Sequence, residues 1–477
     1  MPADRILREL EQRLRGLLDP TRARGPLTVT LRWTWPVTAA GLAACERGIL
    51  WRSPGRHGVM HLVSGWIPLT TAAGETRFAT LEAARQHWRN RWCHLDPDGT
   101  GRMPALFCGF AFDPLDPCGE HFAGLPNSLL ALPEVLIERE ADSRAWLHFS
   151  AAERPVDDPG HLVDHWIYRL RPLLTNGRTA PFSPATHPAL ACRDDPDAPA
   201  AWRQRVHAAL REIGQGRLSK VVLSRTRRVP LPAGFRLGWL IEDLLGAQGR
   251  SRLFVVRHGG QTLVGLSPEC LVRLRSGRVH VEAVGGTRER RRSRTGSDDR
   301  TLPLIDVPKL LHEHRLVVED ILARLHPLCE RIIHSPTPGE LVLADVRHLH
   351  TPIEARARKN VRLLTLAEAL HPTAATGGLP RGPALAWLRA HGEDRRGWYT
   401  GALGWLTPDG EGELTVVLRC GILGQHEARL FAGAGIVAGS VPEEEFRETD
   451  WKLRTLIRHL YRASAPPLHS RRTGIPA

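Results

Sequence analysis

The chain has 477 residues, 42% hydrophobic and 24% charged, with 14 tryptophans, which exceeds one ordinary core and excludes both a small module and a disordered protein. The formal charge is +14, yet the basic residues are spread among acids and apolar residues, and the one dense run, Arg288 to Arg294, is followed by Asp298 and Asp299. This distribution reads as a solvated face and argues against a nucleic-acid site.

No apolar run approaches the roughly 20 residues of a membrane helix, and the opening MPADRILRELEQRLRGLLD has no signal-peptide core. A cytoplasmic chain is expected. The eight cysteines are scattered, with no CxxC and no Cys/His zinc spacing, and read as reduced, buried thiols.

Residues 1–180 contain strand-like stretches such as LTVTLRW (27–33) and ALFCGFAFD (105–113) between Pro- and Gly-rich turns. The Pro-, Ala- and Asp-rich stretch at 181–200 reads as a crossing between two lobes, with an N-terminal lobe over 1–190 and a catalytic region over 195–462. Trp202, Val206, Leu210 and Ile213 then recur at helical spacing until Gly214 and Gly216. A strand over 218–229 follows. Next come the apolar runs RLFVVRH, QTLVGL, ECLVRLR and RVHVEAV, parted by turn residues, which predict an antiparallel meander.

A helix is expected over about 306–325, then one strand LVLADVRHL, a helix near 361–370 and a Gly/Pro-rich loop at 371–382. The segment 400–423 turns at Asp409-Gly410, and Ser440 with Glu443 predicts a capping box that opens a helix to about 461. Residues 463–477 read as a disordered tail. The pattern predicts an α+β fold: large antiparallel sheets, sandwich-like and in two lobes, covered by helices.

Of the 65 basic residues only four are lysines: Lys220, Lys309, Lys359 and Lys452. Arginine supplies positive charge without ever losing its proton, whereas a desolvated lysine can become a neutral base. On the 306–325 helix Glu313 falls on the apolar stripe between Leu310 and Val317, a costly place for an unpaired carboxylate. An edge position would also explain it. On the last helix Glu445, Glu448, Lys452 and Leu456 share one face. Either a surface Glu448–Lys452 pair or a site for a hard cation such as magnesium satisfies that spacing. Glu269 closes the turn GLSPE, and the glycines of VEAVGGT and FAGAGIV would let backbone approach a ligand.

Taken in order, SKVVLSR (219–225), GLSPE (265–269), VEAVGGTR (281–288), KLLHEHRLVVED (309–320), VRHLHTP (346–352), LHPTAATGGLPR (370–381), RGWYTGALGW (396–405), LRC (418–420), LFAGAGIVAGS (430–440) and EFRETDWKL (445–453) resemble the chorismate-utilising enzymes, above all isochorismate synthases. The resemblance covers roughly residues 195–460, and GFAFDP (109–114) is similar to the family's N-terminal part more loosely.

The resemblance implies a magnesium-dependent conversion of chorismate to isochorismate, in which water adds at C2 and the C4 hydroxyl leaves, feeding menaquinone or catecholate siderophore synthesis. It implies Lys220 as the general base and Glu269 as the general acid. Glu313 and Glu448 are then metal ligands, with Glu445 reaching the metal through water. Tyr399, Arg419 and Gly433 would hold the enolpyruvyl carboxylate and Lys452 the ring carboxylate, while Gly286, Thr287 and His348 line the pocket. Lys309 receives no role.

Ammonia-using relatives usually have glutamine in place of Lys220, and a nucleophilic lysine of aminodeoxychorismate synthases would stand at Gly285. The resemblance therefore implies water as nucleophile and no glutaminase subunit, and, since relatives are often monomers, a monomer. The rival within the family is a salicylate synthase, which shares these groups and goes on to eliminate pyruvate.

Overall fold

A computed structural model describes residues 2–18, 25–55, 58–119, 122–153, 159–174, 196–231, 234–290, 303–391 and 395–463. Most of the expected crossing at 181–200, the dense part of the basic run, and residues 464–477 of the expected tail lie outside the described residues; Ala463 is the last residue of a helix.

The strands are β1 (Leu27–Trp33), β2 (Gly48–Arg52), β3 (Val59–Ala72), β4 (Cys93–Leu95), β5 (Leu106–Phe110), β6 (Ser128–Glu140), β7 (Ala145–Ala151), β8 (Lys220–Pro230), β9 (Arg252–His258), β10 (Gln261–Ser267), β11 (Cys270–Arg275), β12 (Arg278–Glu289), β13 (Cys329–His334), β14 (Gly339–Val342), β15 (Val346–Ala357), β16 (Gly378–Leu379), β17 (Ala402–Leu406), β18 (Gly412–Val416), β19 (Cys420–Leu423) and β20 (Glu427–Ile436). The helices are α1 (Pro2–Leu17), α2 (Arg77–Arg91), α3 (Pro159–Leu174), α4 (Ala198–Gly214), α5 (Leu237–Ala247), α6 (Pro308–Leu325), α7 (Leu363–Leu370), α8 (Arg381–Ala390) and α9 (Pro442–Ala463).

Two runs of paired strands diverge from the long β3–β6 ladder. One passes through β2, β9, β10, β19, β20, β8 and β16, and the other through β5, β17, β18, β11, β12 and β15. Strands from both halves of the chain thus share ladders, at β2–β9 and at β5–β17. Alternate side chains of β2, β3, β9, β10, β17 and β19, including Ile49, Val63, Phe254, Val256, Leu263, Leu403 and Ile422, make one buried cluster between the runs, as the period of two in a strand requires.

The outer faces are covered by helices. Leu14, Trp166, Leu240 and Leu460 of α1, α3, α5 and α9 pack on the first run, and Leu81, Val317, Ile321 and Leu366 of α2, α6 and α7 on the second. This is the α+β, sandwich-like architecture expected.

Three local expectations are corrected. The apolar runs at 252–284 are not one meander: β9 pairs β10 and β11 pairs β12, but β10 turns to β19 and β11 to β18. Pro268, which cannot donate to a ladder, separates the two pairs. LVLADVRHL is a hairpin, because the Leu343 N–H bonds to the Val346 carbonyl and β14 folds back on β15. Ser440 and Glu443, expected as a capping box, are engaged elsewhere: Ser440 Oγ accepts the Val437 N–H at 3.2 Å and Glu443 pairs with Arg203 at 2.9 Å.

Candidate active site

The interruptions in the ladders coincide. Where β10 gives way to β11, the partner chain β18–β19 also breaks, at 417–419. The break is braced by Val416 N–H to Glu269 carbonyl at 3.2 Å and Leu266 N–H to Arg419 carbonyl at 3.2 Å. Arg419 sits there with φ 49° and Thr400 nearby with φ 61°, left-handed conformations that cost non-glycine residues of order 1–3 kcal/mol. A register shift on β12 falls between Gly285 and Thr287, where Gly286 has φ 64° and an added Cβ would lie 2.9 Å from the Leu310 carbonyl oxygen.

A pocket opens between these breaks, with about 640 Å³ of empty space counting its open mouth. It is lined by Glu269, Gly286, Thr287, Glu313, His348, Tyr399, Arg419, Gly433 and Lys452, all singled out from the sequence. Lys220 stands behind Glu313, Glu448 meets the pocket through Lys452, and Glu445 neighbours Glu448.

On the helical side, carboxylates and lysines alternate. Lys220 Nζ, 1% exposed, donates to Glu313 Oε1 at 3.0 Å. Lys452 Nζ donates to Glu448 Oε1 at 2.6 Å and to the Gly433 carbonyl at 2.8 Å. Lys309 Nζ donates to Glu445 Oε1. Burial raises the Glu313 carboxyl, but the Lys220 ammonium, followed by Lys452 and Lys309, more than offsets this and holds it below the ordinary range. Glu445 is pushed up to about 7 by burial and by its neighbour Glu448, against the pull of Lys309.

Lys309, given no role from sequence, is thus the partner of Glu445. Gly435 was missed as an individual residue: a Cβ there would lie 2.3 Å from Glu313 Oε1 and 2.9 Å from Lys220 Cε. Its place two residues after Gly433, on the same face of β20, was the available signal.

Elsewhere in the wall Arg419, 8% exposed, donates through Nη2 to His348 Nε2 at 2.7 Å. His348 Nδ1 lies 3.1 Å from Thr287 Oγ1. Burial, then Arg419, holds the imidazole well below its usual pKa. Because arginine only donates, Nε2 is the acceptor and Nδ1 carries the proton given to Thr287. Burial lowers Arg419 to about 10, which leaves it charged at neutral pH. Among the described residues no acidic side chain comes within ion-pair distance of it. The Tyr399 ring stacks on Phe431 at 5.2 Å. Gly433 lies against Tyr399, since a Cβ there would stand 3.1 Å from the phenol oxygen and 2.7 Å from the Leu223 carbonyl oxygen.

Glu269 is 3% exposed. Burial first, then the charge of Glu282, raises its carboxyl to about 8, so it is protonated at neutral pH and can donate a proton.

Among the described residues no three acidic, histidine or cysteine side chains close on one point as a metal cage; Glu313, Glu445 and Glu448 are drawn to lysines. The donor set still fits a hard divalent cation. It consists of carboxylate oxygens from two helices, and the mutual repulsion of Glu445 and Glu448 is what such a cation would relieve. Among the described residues no helix is long and apolar enough to cross a membrane.

Residues 37–461 match the family described as chorismate binding enzyme. The chain is 37% identical over 388 residues to the salicylate biosynthesis isochorismate synthase of Pseudomonas aeruginosa, covering 80% of this chain and 79% of that protein. It is 30% identical over 356 residues to the isochorismate synthase MenF of Bacillus subtilis, covering 74% of each. The solved structure of MenF, the menaquinone-specific isochorismate synthase from Escherichia coli, superposes with a TM-score of 0.73 at 25% identity, over 95% of this chain and 98% of that one. The chain belongs to the chorismate binding enzymes.

Proposed function

We propose that the protein is an isochorismate synthase that interconverts chorismate and isochorismate with magnesium, feeding menaquinone or catecholate siderophore synthesis. The observation that carries this reading is the pairing, around one pocket, of a buried lysine with a carboxyl kept protonated, near an arginine that among the described residues has no acid at ion-pair distance. The reaction needs one group to take a proton from water at C2 and another to protonate the hydroxyl departing from C4. Lys220 is the base. Paired with Glu313 it is an ammonium, and its role requires that it become a neutral amine once Glu313 would turn to the metal, a change arginine could not make.

Glu269 is the acid. It gives its proton to the leaving hydroxyl, which departs as water, so one water enters and one leaves. Arg419, oriented by His348 and Thr287, pairs through its planar fork with the enolpyruvyl carboxylate, while Tyr399 and the Gly433 backbone border that group. Lys452 contacts the ring carboxylate. Glu313 and Glu448, with Glu445 through water, would hold magnesium, which supplies charge neutralisation for the ring carboxylate.

The test is to incubate purified protein with chorismate, with magnesium or with EDTA, and to resolve the products by chromatography. A reversible chorismate–isochorismate mixture formed only with magnesium is expected. Salicylate and pyruvate in proportion to chorismate consumed would instead make the protein a salicylate synthase.

A further inference from the structure

Behind Glu269 stands a second carboxylate that the proposed reaction leaves unused. Glu282 lies on β12, and its Oε2 accepts the backbone N–H of Cys270, the residue after Glu269, at 2.8 Å. The same oxygen takes Arg252 Nη1 at 3.0 Å, and Arg252 is shared with Glu413 of β18. Oε1 faces His350 Nε2 at 3.5 Å and His280 Nε2 at 3.8 Å. The first N–H of β11 is therefore tied to a side chain, at the point where Pro268 has broken the strand. The turn that carries Glu269 has no continuous ladder to hold it, and this carboxylate substitutes for one.

We infer that Glu282 is a positioning residue for the acid: it pins the GLSPE turn through the Cys270 N–H and keeps a fixed negative charge behind Glu269. The inference rests on the proposed role of Glu269. The charged groups acting most strongly on Glu269 are Glu282 from β12, Lys220 from β8, Arg252 from β9 and Lys452 from α9. Of these only Glu282 favours the protonated acid. Burial disfavours the Glu282 anion, but His280, His350, Arg252 and the Cys270 N–H outweigh it and hold Glu282 well below the carboxylate range. It stays ionised at every pH at which Glu269 titrates. Replacing it by a neutral isostere removes the one repulsion and leaves three cations that all favour ionised Glu269.

The test is the pH dependence of kcat/KM for chorismate at saturating magnesium, in the wild type, Glu282→Gln, Glu282→Asp and Glu269→Gln, with circular dichroism to verify folding. In Glu282→Gln the alkaline limb should move to lower pH by about one unit. Glu282→Asp keeps the charge but draws it back from Cys270, so its limb should stay in place while kcat falls by at least about tenfold. An unmoved limb in Glu282→Gln, or wild-type kcat in Glu282→Asp, would overturn the inference, and the aspartate variant decides the matter if the glutamine one does not fold. Activity in Glu269→Gln would remove the acid assignment itself, an outcome distinct from failure at Glu282 alone.

Discussion

Where α6 and α9 border the pocket, each lysine is matched with a glutamate: Lys220 with Glu313, Lys309 with Glu445, Lys452 with Glu448. Where the ladders break, Arg419 is matched with a neutral imidazole. Both regions bury positive charge, but the first balances it internally and the second does not. A buried cation with no acid at ion-pair distance among the described residues is costly unless another anion completes it, as the substrate carboxylate of the proposed function would. In the proposed function the glutamates of the lysine wall would leave those lysines for magnesium.

Substitutions should separate the two walls. The largest effect is expected at Lys220→Ala, which removes the proposed base and should lower kcat by roughly a thousandfold while circular dichroism and chorismate binding are largely kept. Arg419→Gln should act mainly on affinity, lowering kcat/KM on the order of ten- to a hundredfold with a rise in KM. A change confined to kcat would contradict its role as carboxylate clamp.

Gly435→Ala drives a methyl group between Glu313 and Lys220. It should destabilise the fold by about 1–3 kcal/mol, read in denaturant unfolding, and weaken magnesium binding measured by calorimetry.

The pH dependence follows from Glu269. The acid works when protonated, so kcat/KM should fall as pH rises through about 8; a profile flat to pH 10 would contradict that assignment. The smallest effect is expected at Lys359→Arg. This exposed lysine lies outside the pocket, and the change should stay within about 0.5 kcal/mol in stability and leave turnover unaltered.

Much of this was legible in the sequence because it depends on local spacing. Glu313 on the apolar stripe of α6, and the Glu445, Glu448 and Lys452 face of α9, follow from helical periodicity. The scarcity of lysine marked Lys220 and Lys452, and marked Lys309 without revealing its partner. Pairings between distant strands were not legible. The turn at Pro268 reads the same whether β11 returns to β10 or, as happens, to β18, and only the second arrangement lets the Glu269 carbonyl accept the Val416 N–H at the break that carries Arg419. Glu282 carries no signal of its own, since a carboxylate on a strand is ordinarily solvated; its partners Arg252 and His350 are contributed by β9 and β15. Of the N-terminal helices α2 was the least legible, because Arg77 and Arg85 are buried among its apolar residues and leave no clean apolar face to read.

The central claim is that this arginine-rich chain keeps lysine at position 220 because the residue must lose a proton. Lys220→Arg tests it most directly, because the charge and a partner for Glu313 are retained while the proton cannot be released. With the fold intact by circular dichroism, the account predicts that chorismate turnover drops to the level of Lys220→Ala. Turnover near the wild type in Lys220→Arg would show that only a cation is needed there, and would contradict the account.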